Sequence, residues 1–495
     1  MVFKRKLYDR LIQWKNDNAG TALLIEGSRR VGKTTLAEDF AKREFPDYLL
    51  LDFSKTSQDI KDLFSLDLND LDEFFARLFI LTRHVLKPGS LIIFDEIQRF
   101  PAAREAIKSL VADPKKRFRY LESGSLIGIS ELDPDDVGKG EKAMGDIVIP
   151  SEEESVTLRP MDYEEYRWAK GDEGTVPLLR TYFEAKKSLG EKENLSEMRD
   201  YYAYLAIGGM PQAVAAYLQE GTFQAADRAK RNILELYEKD LVRYDNKYGT
   251  VSAPLFRSIP WFLTSHRVAF PLSKLGMRRD AKTLTHSIQL LEESQFATFV
   301  RNVADPNVGM GLSEDPFAFK MYLCDTGLLI SQILKDDAKT GEAVYQGLIS
   351  GKLAINKGMI FENAVCQTLV GGGHHPHYHS FYVTSDPEGR HLYEVDFLIA
   401  DGYKLDAIEV KSSSTQAHSS IDKFVAKYPS RIKERLIIGK GDLKQEGDYL
   451  HLPLYMMFSS FRQQSIIRFR ITKTNVYHSK QYKKECILKL WIRIF

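Results

Sequence analysis

Residues 23–35 read LLIEGSRRVGKTT, and Gly27, Gly32, Lys33 and Thr34 fall on the spacing Gly-x4-Gly-Lys-Thr. An apolar run precedes this loop and an amphipathic, helix-patterned stretch follows it, the context in which such a loop cradles phosphates. Backbone N–H groups from Gly27, Ser28, Arg29, Arg30, Val31 and Gly32 are expected to wrap the phosphates of ATP, and the next helix adds the positive end of its dipole. Lys33 would reach the β- and γ-phosphates, the Thr34 hydroxyl would hold Mg²⁺, and Thr35 completes the contact set. Residues 90–100, SLIIFDEIQRF, supply the complement: a buried strand ending in Asp95, a second holder of Mg²⁺, and Glu96, placed to polarise the attacking water. That pair, sixty-odd residues after a phosphate loop, implies hydrolysis rather than binding alone. A third run, RYLESGSLIGI, leaves two readings open: Ser123 or Ser125 senses the γ-phosphate, or the run closes in a plain turn.

These side chains need a frame, and the chain is long enough for two to four domains at 495 residues. From residue 1 to 169, strand-like runs (TALLIEG, YLLLDFS, SLIIFDE, FRYLESG) alternate with helical patterns, which predicts a parallel sheet with crossover helices. Residues 170–351 carry mostly helical apolar spacing. Residues 352–457 begin with a helix and continue as mixed strands, and residues 458–495 form a basic tail. The acidic, Gly- and Pro-containing stretch 131–155 reads as a loop or insertion. Lys plus Arg (69) nearly balance Asp plus Glu (68), so any nucleic-acid contact must come from a local patch. Cys324, Cys366 and Cys486 have no metal-type spacing, which fits a reducing compartment. With no apolar run near 18 residues, a cytoplasmic protein without a membrane partner is expected.

The phosphate loop together with FDEIQ, ESGS, LRPMDYEEY, IGGMPQAV, LYEKDL, LCDTGLL and EVDFL…IEVKSS resembles a family of bacterial and archaeal P-loop ATPases of the AAA-like superclass. The resemblance runs from about Lys4 to Phe458. It implies an α/β fold: a P-loop NTPase parallel sheet, then a helical winged-helix region, then a small restriction-endonuclease-like α/β domain resembling PD-(D/E)XK nucleases. In such nucleases an Asp and a Glu on adjacent strands bind Mg²⁺, and a Lys two residues after the Glu shares its strand face and acts on water. Asp396, Glu409 and Lys411 fit that pattern, with Asp401-Gly402 as the tight turn between the strands. Glu362, on an amphipathic helix upstream, would be a further metal ligand. Glu394 is either another ligand or a surface residue. A structural Glu409–Lys411 pair, in a site that has lost its chemistry, is the other reading of these residues. His374, His375, His377 and His379 read as loop residues at the surface.

In the middle region, residues 271–300 read as helix, turn, helix and strand, a helix-turn-helix with a wing. Leu284, Ile288 and Leu291 would face inward, while Arg278, Arg279 and Lys282 cluster where DNA-reading helices make contacts. Packing against the ATPase is the competing role for this element. Gly208, Gly209 and Pro211 read as a structural turn before a helix. From Phe461 onward nine Lys or Arg stand against Glu485 alone, which suits either a nucleic-acid or membrane surface or a non-native extension. The combined expectation is a Mg²⁺-dependent ATPase coupled to DNA binding and to metal-dependent DNA cleavage, working as a monomer or a homo-oligomer. The alternative is a nucleotide-switched binding or signalling ATPase with an inactive nuclease-like domain.

Overall fold

The computed structural model describes residues 1–17, 20–64, 68, 70–125, 151–245, 251–264, 281–335, 341–350, 356–383, 391–412 and 419–460. Its first sheet is built from β1 (Ala22–Glu26), β2 (Tyr48–Asp52), β3 (Ser90–Asp95), β4 (Phe118–Gly124) and β5 (Glu153–Thr157) in the order β2-β3-β4-β1-β5. Every pairing is parallel, and the four expected strands stand where the apolar runs placed them. β3 is buried along its whole length, as an inner strand covered on both faces must be.

The fifth strand corrects the reading of residues 131–155 as a loop. Its last residues form β5, which pairs with β1 from Ala22 to Glu26. The acidic side chains that make this stretch look solvated fasten it instead. Arg104 donates to both oxygens of Glu153 (3.0 and 2.7 Å), and Arg10 and Thr21 both bond Glu154. Residues 131–150 lie outside the described residues.

The second sheet comprises β6 (Ala297–Val303), β7 (Glu314–Leu323), β8 (His377–Val383), β9 (His391–Asp401), β10 (Lys404–Lys411), β11 (Ile432–Gly439), β12 (Lys444–Glu446) and β13 (Tyr449–Pro453). Its order is β12-β13-β11-β10-β9-β8-β6-β7, so the strands fall on both sides of the boundary expected at 351. β9 and β10 form the expected hairpin, with Lys404 opposite Asp401 and Gly402 at φ +63° in the turn. The helix Ser419–Lys427 crosses over to β11, which runs parallel to β10. β6 and β7 pair antiparallel after the helix Ala281–Glu293, and β6 touches β8 at Asn302, whose side chain accepts from the Ser380 N–H (3.0 Å). Leu284, Ile288 and Leu291 are buried as expected. Arg278, Arg279, the Lys282 side chain, Cys486 and the tail from residue 461 lie outside the described residues.

One apolar cluster runs from Leu11 and Trp14 through Tyr204 and Tyr237 to Tyr455 and Met457, so the expected regions share a core. Three of the recognised motifs meet inside it. The Met161 N–H donates to Gly209 O (2.7 Å), the Gly209 N–H donates to Asp325 Oδ2 (2.6 Å), and Tyr204 OH donates to Met161 O (2.9 Å). A Cβ on Gly209 would stand 2.0 Å from Met161 O, and one on Gly327 would stand 2.4 Å from Gly208 Cα. Only glycine allows these backbones to approach so closely. Among the described residues, no helix is long and apolar enough to cross a membrane.

Candidate functional site

The phosphate loop leaves β1 and enters the helix Lys33–Glu44 through two glycines with different duties. A Cβ on Gly27 would come within 2.3 Å of Leu158 O, where the chain continues from β5 along β1. Gly32 has φ +99°, a left-handed conformation that L side chains adopt at a penalty, just before the helix begins. Arg30 also has positive φ (72°) and is exposed, as is Thr35. Ser28 and Val31 are buried.

Lys33 is 8 % exposed, and its Nζ donates to Gly27 O (2.8 Å) and Ser28 O (3.1 Å). Burial lowers its pKa to about 8, against the raising pull of Glu96 and Asp95. Thr34 Oγ1 donates to Asp95 Oδ2 (2.9 Å), and Ser123 Oγ donates to Asp95 Oδ1. Burial raises the Asp95 carboxyl, and these two hydrogen bonds oppose it. A hydroxyl and a carboxylate side by side at the strands' C-terminal edge are the hard oxygen donors that Mg²⁺ takes. Ser123 therefore sits inside β4, opposite Asp95, and the plain-turn reading of it falls away. Ser125 is buried one residue past the strand.

Glu96 follows at φ +54°, a strained backbone for a glutamate and a common feature of functional positions. Gln98 Nε2 donates to its Oε2 (2.6 Å), which steadies the carboxylate, and Oε1 has no hydrogen bond among the described residues. Arg29 ties the loop to a distant helix. Its Nη1 pairs with Asp240 at 2.6 and 2.9 Å, and its carbonyl accepts from Tyr237 OH (2.8 Å), both on the long helix Phe223–Asp245. Arg5 braces the loop from the other side through Val31 O (3.0 Å). The sequence alone does not reveal these braces, although LYEKDL is among the recognised motifs.

In the C-terminal sheet, Asp396 and Glu409 each lie one residue beyond Phe397 and Ile408, the last recorded pair of the β9–β10 register. Asp396 Oδ2 accepts from the Val410 N–H (2.8 Å), and Lys411 Nζ pairs with Glu409 Oε1. Glu409 Oε2 is buried without a hydrogen-bond partner among the described residues. Burial raises the Asp396 carboxyl to about 7, with Lys320 opposing and Glu362 and Glu394 adding to the rise. Lys320, on β7, is the residue that sequence reasoning misses. Its Nζ lies 2.6 Å from Glu394 Oε1, 3.5 Å from Glu362 Oε2 and 3.7 Å from Asp396 Oδ1. Among the described residues, no three His, Cys, Asp or Glu side chains are grouped so as to hold a metal ion. Glu362 and Asp396 thus share Lys320 as a cation, while Glu409 pairs with Lys411. Glu394 is an ion-pair partner rather than a surface residue.

Two of the histidines expected in a surface loop belong to β8 and are buried. His377 Nε2 meets Glu314 Oε1 (2.6 Å) and His379 Nδ1 meets Val303 O (2.7 Å), which ties β8 to β6 and to the start of β7.

The AAA domain family matches residues 19–167. Two domains of unknown function match the rest, DUF8612 over residues 198–339 and DUF4143 over residues 357–456. No curated protein matches this chain. Among solved structures, the Pif1 helicase from Candida albicans is 14 % identical with a TM-score of 0.21, over 37 % of this chain and 44 % of that one. PCH-2 from C. elegans is 13 % identical with a TM-score of 0.26, over 46 % of this chain and 69 % of that one. The Thermotoga maritima RuvB Holliday junction branch migration motor is 14 % identical with a TM-score of 0.27, over 60 % of this chain and 89 % of that one. The chain thus spans less than half the length of the helicase, and at such TM-scores the likenesses carry no argument about it. The family match, the all-parallel sheet and the glycine loop facing Asp95 and Glu96 make the N-terminal region an AAA-like P-loop ATPase domain.

Proposed function

We propose that the chain is a Mg²⁺-dependent ATPase whose turnover is coupled to DNA binding by its middle region. The observation that carries the ATPase half is the hydrogen-bonded row Thr34–Asp95–Ser123 beside Lys33 and Glu96. Backbone N–H groups of the loop bind the phosphates, and Lys33 exchanges its two carbonyl acceptors for phosphate oxygens. Thr34 and Asp95 would hold Mg²⁺, which neutralises charge on the β- and γ-phosphates. Ser123 fixes the Asp95 carboxylate, and Glu96, anchored through one oxygen by Gln98, orients water with the other.

The DNA half rests on the sequence's basic cluster Arg278, Arg279 and Lys282, close in the chain to the start of the helix Ala281–Glu293, which an antiparallel strand pair follows, as in a winged helix. In this reading the C-terminal domain is a PD-(D/E)XK-type core, and cleavage is left out because Lys320 stands among its carboxylates.

Steady-state turnover of Glu96→Gln should fall about 10²-fold or more while ATP binding persists, and Lys33→Ala should lose both. Arg278→Glu with Arg279→Glu should leave basal turnover intact and remove both DNA binding and any stimulation by DNA. Unchanged turnover in Glu96→Gln sinks the ATPase assignment, and unchanged DNA binding in the double variant sinks the assigned interface.

A further inference from the structure

The ammonium group among Glu362, Glu394 and Asp396 arrives from outside the segment that carries the acids. Lys320 and Tyr322 leave the same face of β7, since side chains on a strand alternate. Tyr322 OH donates to Glu362 Oε2 (2.9 Å), and the Tyr378 ring centre lies 5.6 Å from Lys320 Nζ. The alternate residues Phe319, Met321 and Leu323 are buried at 1 %, 0 % and 1 % exposure. Tyr322, on the Lys320 face, is fully buried as well, so both faces of this end of β7 are covered.

Three carboxylates held this close need a counter-charge, because a buried acid without a partner is strongly unfavourable. An ammonium offers three donors on a compact charge, and here three acid groups surround it within 3.7 Å. Mg²⁺ would demand about six oxygens in near-octahedral geometry. Lys320 Nζ already lies 3.5 Å from Glu362 Oε2 and 3.7 Å from Asp396 Oδ1, so these two oxygens have a cation between them. Asp396 Oδ2 is already taken by the Val410 N–H, and Glu409 Oε1 by Lys411. Glu409 Oε2 is buried without a hydrogen-bond partner among the described residues.

We propose that Lys320 is the resident cation of this cluster: its ammonium stands where a nuclease would carry a divalent metal, and the C-terminal core is a charge-closed clamp fastening β7 to the β9–β10 hairpin. The clamp joins a strand from before residue 351 to the hairpin after it, so its function is to hold two parts of the chain in one sheet. It uses none of the residues that bind or hydrolyse ATP, so it stands or falls apart from the ATPase reading.

Mn²⁺ titration of the nucleotide-free, full-length chain, followed by paramagnetic resonance, reads the proposal directly. Wild type and Asp396→Asn are expected to bind Mn²⁺ alike. Lys320→Met should gain a site about tenfold tighter or more, which Asp396→Asn in the same chain removes. A wild-type affinity that drops about tenfold in Asp396→Asn overturns the proposal, as does a folded Lys320→Met chain with no gain. If Lys320→Met does not fold, the wild-type and Asp396→Asn comparison decides alone. Mn²⁺-dependent cutting of DNA by wild type that Asp396→Asn abolishes also overturns it.

Discussion

Asp406 lies on β10 three residues before Glu409, 7 % exposed, with Oδ1 lacking a hydrogen-bond partner among the described residues. Burial raises its pKa from 3.8 to about 7, Asp401 adds to the rise, and Lys433 opposes it. The folded chain therefore holds this proton more tightly than the unfolded chain does. Stability from Asp406 is full below pH ~4 and is lost as pH rises through about 7. Asp406→Asn removes that loss, so at pH 8 the variant should exceed wild type by roughly 2–4 kcal/mol, and at pH 4 the two should nearly coincide. Urea denaturation at both pH values measures the gap, and a gap that does not widen with pH counts against this assignment. At this scale the nucleotide residues are legible because loop spacing and an acid-ended strand determine one another through phosphate chemistry. Lys320 is not. It lies 42 residues before Glu362 in a stretch whose pattern is mostly helical, and its only local signal is a lysine alternating with Phe319 and Met321.

At the scale of elements, strand identity is readable wherever both faces are covered, as in β1 and β3. It is unreadable in β5, whose burial is intermediate or exposed throughout and whose charges are neutralised by partners as distant as Arg10 and Arg104. The IGGMP turn reads as structural from its residues, but what it packs against depends on tertiary approach. Gly208 meets Gly327 at the start of the helix Thr326–Ile333, and Asp325 caps that helix through the Leu328 N–H (2.9 Å). Gly327→Ala forces a Cβ to within 2.4 Å of backbone that has no room to yield, so a loss of about 3 kcal/mol or more is expected. A Cβ on Gly371, at the end of the helix Lys357–Gly371, would meet nothing within 4 Å, and its φ is not positive. Gly371→Ala should be neutral or stabilise by up to ~1 kcal/mol. Equilibrium denaturation of the two variants side by side tests whether the crossing, rather than glycine loss in general, sets the penalty.

Across the whole molecule, the regions separated by sequence pattern are fused by packing and by polar ties. Tyr237 bonds the phosphate loop through Arg29 O and stacks on Phe296 with ring centres 3.7 Å apart. Phe296 immediately precedes β6, and its carbonyl accepts from the Cys324 N–H just past β7, the strand that carries Lys320. A continuous line of contacts thus runs from the nucleotide loop to the C-terminal sheet, and one apolar cluster surrounds it. Such a chain should unfold as one cooperative unit rather than as separable domains. MgATP at 100 times its dissociation constant adds about 2.7 kcal/mol to the folded state. In native-state hydrogen exchange that increment should reach β10 as well as β3, because both strands open through the same global transition. Lys33→Ala should abolish it at both strands together. Protection that rises in β3 while β10 stays unchanged would show that the C-terminal sheet opens independently, and would break the line of coupling between Arg29 and Lys320.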